Sequence, residues 1–193
     1  MTVTTSWLNL LRASFEKALG HPLNSWEALS KKFQVRELSD QEHFVSAGEL
    51  WEDICFVQKG LIRVYYVDQS GNELTQHFYQ PGEVVSPLED PQGTPCLFYI
   101  QSLEESTIVT ANYGDLTSEH GSNPEWAILE LHFIKKGFLK NAKHEAQLLL
   151  GNAESRYSWF CREYPDLLEK LTQQQIASFL GVTSVTISRI KNS

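Results

Sequence analysis

The polar side chains best placed to bind a ligand lie near the C-terminus, in the stretch TQQQIASFLGVTSVTISRI of residues 172–190. Thr172 and Gln175 have the spacing of a capping box, which predicts that a helix begins directly after Thr172. Gly181 suits the left-handed backbone of a sharp turn, and Thr183 is a good N-cap for a second helix. The sequence therefore predicts two short helices joined by a tight turn.

The apolar residues of this stretch decide which side chains face outward. Ile176 and Leu180 share one face of the first helix, and Ile187 and Ile190 of the second helix point back at them. Ala177 is small where the helices must cross closely. The side chains left on the outer face of the second helix are Ser184, Val185, Ser188, Arg189 and Lys191. Such a row is typical of a recognition helix in the DNA major groove, and two packed helices without nucleic acid are the alternative.

The charge distribution bears on the partner. The net charge of −8 argues at first against nucleic acid. From Gly151 onward, however, five basic and four acidic residues give +1, so residues 1–150 carry −9. The last 22 residues contain Arg189 and Lys191 and no carboxylate. The acidic charge is therefore concentrated away from the predicted helix pair.

The sequence lacks the residue spacings of common metal sites and catalytic motifs. Cys55, Cys96 and Cys161 are far apart and form no CxxC pair, so we expect buried thiols rather than a zinc or iron–sulfur site. The six histidines form no HxH or HxxxH pair, so the HxH motif that a cupin enzyme would need is missing. No GxSxG motif is present either. We therefore expect no enzyme, no catalytic residues, no metal and no cofactor.

The location of the protein follows from its apolar segments. No apolar run approaches the roughly 20 residues that cross a bilayer. The N-terminal residues lack the apolar core and cleavage site of a secretory signal. We therefore expect a cytoplasmic protein with no membrane partner.

The rest of the chain changes character twice. Residues 6–19 have the apolar spacing of an amphipathic helix, and residues 25–33 predict a second helix with Ser25 as N-cap. From Gln34 onward, short β-rich segments alternate with turn signals, which is typical of a sandwich or barrel. These segments are HFVSA, DICFVQKG, LIRVYYVD, ELTQHFY, EVVS, CLFYIQSL and STIVTANY.

A long helix is predicted after the β-rich part. Asn123 is a good N-cap and Pro124 suits the first helical position, and the pattern continues to about residue 150. Its apolar stripe exceeds what one domain face covers, which predicts the interface of a homodimer. The stripe includes Trp126, Leu129, Phe133, Leu139 and Ala142. Gly151 and Asn152 are a plausible stop and hinge before helices at 153–163 and 165–170.

The C-terminal stretch resembles the helix-turn-helix of the Crp/Fnr family of bacterial transcription regulators. Four segments of the β-rich part also resemble the family: AGE (47–49), FVQKGLIRVYY (56–66), DQSGNE (68–73) and QPGE (80–83). The order of the predicted elements matches as well. The resemblance covers about residues 30–191.

The resemblance implies an α+β fold in three parts. Residues 1–122 hold the N-terminal helices and a sensor jelly roll, or double-stranded β-helix, of cyclic-nucleotide-binding type. Residues 123–150 form the dimerisation helix, and residues 151–193 form a small all-α helix-turn-helix domain. Family members usually continue into a β-hairpin wing, whereas this chain has four residues after Arg189, so we expect a domain without the wing.

The resemblance also implies which residues contact the DNA backbone. Thr172, Gln173 and Gln174 match the phosphate contacts at the start of the first helix. Thr183 and Thr186 match phosphate contacts around the recognition helix, which spans about residues 183–192. These are expected contacts carried over by position.

The base-reading positions differ from those of well-known members. They fall on Ser184, Val185 and Arg189, and only Arg189 keeps the family's residue type. Arginine reads guanine through two hydrogen bonds, whereas serine is ambiguous and valine can only touch a thymine methyl. We therefore expect an unfamiliar operator sequence. The complete set of predicted DNA-binding residues is Thr172, Gln173, Gln174, Thr183, Ser184, Val185, Thr186, Ser188, Arg189 and Lys191.

Cyclic nucleotide binding is not expected. Members that bind cAMP carry a GEL segment, and about ten residues later an arginine that neutralises the phosphate. Here the GEL positions fall on residues 86–88, Ser-Pro-Leu, and no basic residue occurs between Arg63 and Lys135. A phosphate beside Glu89 and Asp90 would be disfavoured. The effector, and so any ligand-binding residue of the roll, is left open, with Phe78, Tyr79, Phe98, Tyr99 and Tyr113 as either core or pocket lining.

The partners follow from the resemblance. It implies a homodimer on a palindromic DNA operator, with RNA polymerase as a further partner. The alternative is an interaction module of the same fold that no longer binds DNA specifically. The missing wing and the two changed reading positions motivate that alternative, and a salt-dependent DNA shift would separate the two.

Overall fold

The computed structural model describes residues 3–86, 94–118 and 123–192. The chain divides into two compact units, one from residues 1–64 and 78–136, the other from residues 65–77 and 137–193. Each unit combines segments that are far apart in sequence, because the chain passes between the units within a β-hairpin and within a long helix. The domain boundaries expected after residues 122 and 150 stay a prediction.

The first unit begins with two helices, α1 (Val3–Leu19) and α2 (Trp26–Ser30). The second helix is shorter than predicted. Ser25 occupies its N-cap, but its side chain does not accept a hydrogen bond from the helix. Instead the Ser25 hydroxyl donates to the Glu125 carboxylate at 2.8 Å, which also accepts from the Ser25 N–H at 3.0 Å. The Ser25 hydroxyl is thus engaged by a carboxylate distant in sequence and does not cap α2.

Eight strands in the described part of the chain form two four-stranded antiparallel sheets, with orders β1-β8-β3-β6 and β2-β7-β4-β5. β1 was not predicted, and it pairs along its whole length with β8. The strands are β1 (Gln34–Leu38), β2 (His43–Val45), β3 (Asp53–Lys59), β4 (Ile62–Val67), β5 (Glu73–Tyr79), β6 (Val84–Val85), β7 (Phe98–Ser102) and β8 (Ser106–Asn112).

β8 ends one residue earlier than its sequence pattern predicts. The Asn112 side chain accepts a hydrogen bond from the Asp115 N–H at 3.1 Å and so caps a short helix, α3 (Tyr113–Thr117). Tyr113 therefore begins a helix and is not a residue of the roll strands. Asn112 is a strong N-cap residue type, and its effect outweighs the β-propensity of the aromatic residue that follows.

The core of the first unit is aromatic. The Phe15 ring is fully buried and lies within 6.4 Å of the rings of five other aromatic residues. They are Trp26, Phe33, Phe56, Trp126 and Phe133. Cys55 and Cys96 are buried, as predicted, whereas Cys161 is half-buried, and none of the three forms a disulfide.

The long helix α4 (Pro124–Leu150) begins and ends where the sequence predicts. Asn123 Oδ1 accepts from the Trp126 N–H at 3.3 Å, as expected of an N-cap. The assignment of the apolar stripe needs a correction. Trp126 and Leu129 are fully buried and Phe133 packs on the same core, so these residues stabilise their own unit. Leu139, in contrast, is 59% exposed.

The second unit ends in short helices. α5 (Ala153–Glu163) has its predicted bounds, whereas the helix predicted for 165–170 is one 3-10 turn, Pro165–Leu167. The last two helices are α6 (Gln173–Leu180) and α7 (Ser184–Lys191). A search of the described residues finds no helix that is both long and apolar enough to span a bilayer.

Candidate nucleic-acid interface

Local hydrogen bonds begin and end α6 and α7 as the sequence predicts. The Thr172 hydroxyl accepts from the Gln175 N–H at 3.2 Å, and the Gln175 side chain accepts from the Thr172 N–H at 2.9 Å. Gly181 ends α6 with φ +65°, a left-handed conformation that glycine adopts without strain. The Thr183 hydroxyl then accepts from the Thr186 N–H at 3.2 Å and caps α7. The predicted helix-turn-helix is therefore confirmed.

Apolar contacts hold the two helices together. Ile176, Leu180 and Ile187 are fully buried, and Ala177 is 3% exposed. Ile190 is half-buried. Burying such aliphatic side chains contributes roughly 1.5–3 kcal/mol each, which is enough to set the angle between two short helices.

The ten residues predicted to bind DNA are gathered on this helix pair and its two N-caps. Thr186 and Ser188 are half-buried, and the Thr186 hydroxyl lies 2.9 Å from that of Thr183. The other eight are exposed: Thr172, Gln173, Gln174, Thr183, Ser184, Val185, Arg189 and Lys191. Their accessibility is what a DNA-contacting surface requires, and the individual contacts stay predictions.

The electrostatics of the surface suit an anion. Neither α6 nor α7 carries an acidic residue in its first turn, so the positive ends of both helix dipoles are unopposed there. Arg189 and Lys191 lie in the last turn of α7. The helix starts are therefore electrostatically suited to an anion such as a phosphate, and base reading by Arg189 stays a prediction.

Arg156 is a site residue that the sequence analysis missed. From α5 its guanidinium donates to three backbone carbonyls: Gly151 at 3.0 Å, Leu180 at 2.9 Å and Leu148 at 2.7 Å. These carbonyls end α4 and α6, where helices lack internal donors. Gly151, one of the two residues predicted to be a hinge, is thus tied through Arg156 to the end of α6.

Phe179 was also missed, although it is the centre of an aromatic cluster. Its ring is stacked on His144, with centroids 3.9 Å apart and planes at 13°, and on Trp159 at 6.0 Å. Phe160 and Tyr164 approach it edge-on, at 5.7 and 5.8 Å. Phe179 is 1% exposed. A repeat of aromatic residues at 159, 160 and 164 was the available signal, since it predicts one aromatic face on α5.

Ser86 is half-buried, whereas Pro87, Leu88, Glu89 and Asp90 lie outside the described residues.

The aromatic residues for which core and pocket lining were both left open differ in their burial. Phe78 and Phe98 are buried, as core residues are, and Tyr79 and Tyr99 are half-buried. The Tyr113 hydroxyl donates to the Glu130 carboxylate, and burial together with that carboxylate raises the pKa of Tyr113. Tyr113 therefore has a structural role at the start of α3.

Comparisons with known proteins agree with this architecture. Residues 35–120 match the family model of the cyclic nucleotide-binding domain, and no curated protein matches the sequence. The structure of FixK2 from Bradyrhizobium japonicum has a TM-score of 0.72 at 18% identity, over 83% of each chain. The c-di-GMP responsive global regulator CLP of Xanthomonas campestris has a TM-score of 0.72 at 12% identity, over 86% of this chain and 88% of that one.

A third structure is a transcriptional regulator of the CRP/FNR family from Thermus thermophilus, with a TM-score of 0.64 at 14% identity, over 82% of this chain and 84% of that one. The β-roll of this chain is therefore a cyclic nucleotide-binding domain in fold. Together with the long helix and the helix-turn-helix, it gives the chain the architecture of Crp/Fnr-type regulators. The predicted resemblance and fold class are confirmed at this level, and the missing wing stays a prediction.

Proposed function

We propose that the chain is a DNA-binding transcription regulator of Crp/Fnr type. The observation that carries the proposal is the exposed face of α7, which presents Ser184, Val185 and Arg189 on a helix anchored by the buried Ile187. Insertion into the major groove requires a helix that packs on its own domain through one face and exposes the opposite face. DNA in the cytoplasm, and RNA polymerase bound to it, are the expected partners.

Selection of binding sites from random duplexes tests this proposal directly. The purified protein is expected to enrich a palindrome and to bind it more tightly than a scrambled duplex of equal composition. Affinity for both should fall with salt, because phosphate contacts release counterions. Absence of any preference at low and high salt would favour the interaction module that does not bind DNA.

We further infer that α4 pairs with α4 of a second copy. After its core residues are set aside, the helix still exposes seven large apolar side chains, which is costly unless a partner covers them. They are Ile128, Leu131, Ile134, Phe138, Leu139, Leu149 and Leu150. Two copies would read two half-sites, which raises the overall affinity by avidity.

Sedimentation at micromolar concentration tests the dimer. The wild-type protein is expected at twice 22.0 kDa. Leu139→Asp should produce monomers, because it places a charge in the apolar interface. Leu50→Asp, at a residue 62% exposed outside α4, is the matched control and should leave the dimer intact. A wild-type monomer would contradict the inference.

We also propose that the roll does not bind cAMP or cGMP. The support is the sequence, which lacks the GEL segment and any basic residue between Arg63 and Lys135. Calorimetry with either nucleotide at millimolar concentration should show no saturable heat. A micromolar dissociation constant would overturn the argument.

A further inference from the structure

One side of β5 is a sheet edge in the described structure, because the sheet order ends on this strand. Edge strands expose backbone N–H and C=O groups that a further strand would bind. At this edge the Ser178 hydroxyl of α6 binds these backbone groups in place of a further strand. It donates to the Glu73 carbonyl at 2.6 Å and accepts from the Thr75 N–H at 2.8 Å. The Thr75 hydroxyl lies 3.0 Å from the same oxygen.

The next inward residue of β5 reaches the same helix pair through α4. His77 Nε2 is hydrogen-bonded to the Asn141 side-chain oxygen, and the His77 ring lies 5.4 Å from the ring of His144. His144 Nε2 in turn donates to the Phe179 carbonyl at 2.8 Å. Consecutive residues of α6, Ser178 and Phe179, are therefore held by the hairpin and by α4. These interactions join β5 to α4 and α6, and we call them the hairpin contact. Its residues are Glu73, Thr75, His77, Asn141, His144, Ser178 and Phe179.

Burial favours the neutral form of both histidines of the hairpin contact. His77 is 2% exposed, and burial lowers its pKa to about 3, with Lys140 and His144 adding to the effect. Burial also lowers the pKa of His144, and Arg156 and Lys140 add to this. Hydrogen bonds to the carbonyls of Phe179 and Gln76 oppose part of that shift. The charged groups that act on the two rings, Lys140 on α4 and Arg156 on α5, are both basic.

We propose that strand β5 of the β4–β5 hairpin positions the DNA-reading helices through Ser178 and His144, and that acid releases this hold. The proposal rests on the proposed DNA-binding function for its consequence, since the same contact leaves Arg189 exposed and so is compatible with DNA. Both hairpin strands continue along the chain into the β-roll.

The direction of the pH effect follows from the pKa shifts. When the hairpin contact opens, the histidines regain their ordinary pKa of 6.5 and bind protons more strongly than in the closed contact. The contact therefore has its full stability above about pH 6.5 and weakens as the pH falls below that value. For His77 alone, its equilibrium constant should fall about tenfold between about pH 7.5 and 5.5.

Hydrogen exchange of the full-length protein tests the contact without DNA. The Thr75 amide should be protected at about pH 7.5 in the wild type, since Ser178 accepts its proton. Ser178→Ala should lower its protection factor at least tenfold, and Ser178→Thr, which keeps the hydroxyl, should restore it. Ser155→Ala is the matched control, because that hydroxyl bonds only within α5 and its cap. Unchanged Thr75 protection in Ser178→Ala would overturn the proposal.

The pH arm separates a positioning role from general destabilisation. Between about pH 7.5 and 5.5 the wild-type Thr75 protection factor should fall about tenfold, and His77→Gln should remove most of that fall. A fall that is the same in His77→Gln would overturn the role of the histidines.

Operator affinity then connects the contact to function. It should fall several-fold in Ser178→Ala, recover in Ser178→Thr and remain unchanged in Ser155→Ala. If the Thr75 results hold but the wild type binds no DNA, the hairpin contact stands and the DNA-binding function fails. If the wild type binds DNA and Ser178→Ala binds it equally well, the function stands and the positioning role fails.

Discussion

α6 and α7 have the same length and the same kind of N-cap, yet their side chains are used in opposite ways. α6 buries Ile176, Ala177, Phe179 and Leu180 and binds the hairpin through Ser178. α7 buries only Ile187 among its eight residues and leaves most of its surface exposed. The difference indicates that α6 stabilises the fold of the unit through its buried contacts, whereas α7 presents an exposed surface to a ligand. Substitutions in α6 should then cost folding stability, and substitutions in α7 should cost binding.

The largest effect is expected from Phe179→Ala. The substitution removes the ring that stacks on His144 and Trp159 and leaves a cavity in the aromatic cluster. The free energy of unfolding should fall by about 3–5 kcal/mol, as measured by denaturant titration followed by circular dichroism. Val185→Ala in α7, at a residue 58% exposed, should change it by less than about 0.5 kcal/mol. Equal losses in both variants would contradict the division of roles.

Arg189→Ala should lower the affinity for DNA and leave the folding stability unchanged. We expect a loss of about 1–3 kcal/mol of binding free energy per half-site and a relaxed preference at one guanine. The free energy of unfolding should not change, because Arg189 is exposed. Affinity for the selected palindrome and for a scrambled duplex, each at two salt concentrations, measures this. Unchanged affinities would show that α7 is not the recognition helix.

Thr172→Ala should lower stability by an intermediate amount. The substitution removes the hydroxyl that caps α6, which is worth about 1 kcal/mol, and one predicted phosphate contact. Thr172→Ser keeps the hydroxyl and should retain both stability and affinity. Thermal unfolding and DNA titration of the two variants compare the roles. If serine fails to restore stability, the capping box is not what stabilises the start of α6.

The smallest effect is expected from Lys191→Ala. Loss of one phosphate contact should weaken binding to all sequences about equally and lower the salt slope by about 0.9. Ser184→Ala and Val185→Ala should leave the slope unchanged, since neither side chain carries a charge. Titrations over a range of salt concentrations give the slope directly. A loss confined to the palindrome would make Lys191 a base contact instead.

The success of the sequence analysis at α6 and α7 has a physical cause. Both N-caps, the capping box and the Gly181 turn depend on hydrogen bonds between residues three or four apart, so the residues that make them lie close together in the sequence. The same holds for Asn123 at the start of α4. Ser25 shows the limit, because its hydroxyl is bound by Glu125, 100 residues away, and does not cap α2.

The apolar pattern of α4 shows a second limit. Periodicity identifies the helix and its apolar faces, but it does not say which face lies on the core. Phe133 and Leu139 look alike in the sequence, yet Phe133 packs against Phe15 and Phe56 while Leu139 is exposed. The path of α1 and of the sheets decides between them.

The bounds of the helix-turn-helix and the outward row on α7 could be predicted from the residue pattern, because they follow from short-range hydrogen bonds and apolar spacing. The contacts that hold the helix pair could not be predicted in this way. The contact of Ser178 with Thr75 joins residues 103 apart, and Arg156 ends two helices at once. Backbone carbonyls and edge-strand amides leave no mark in a residue pattern, so partners of this kind are visible only once the chain is folded.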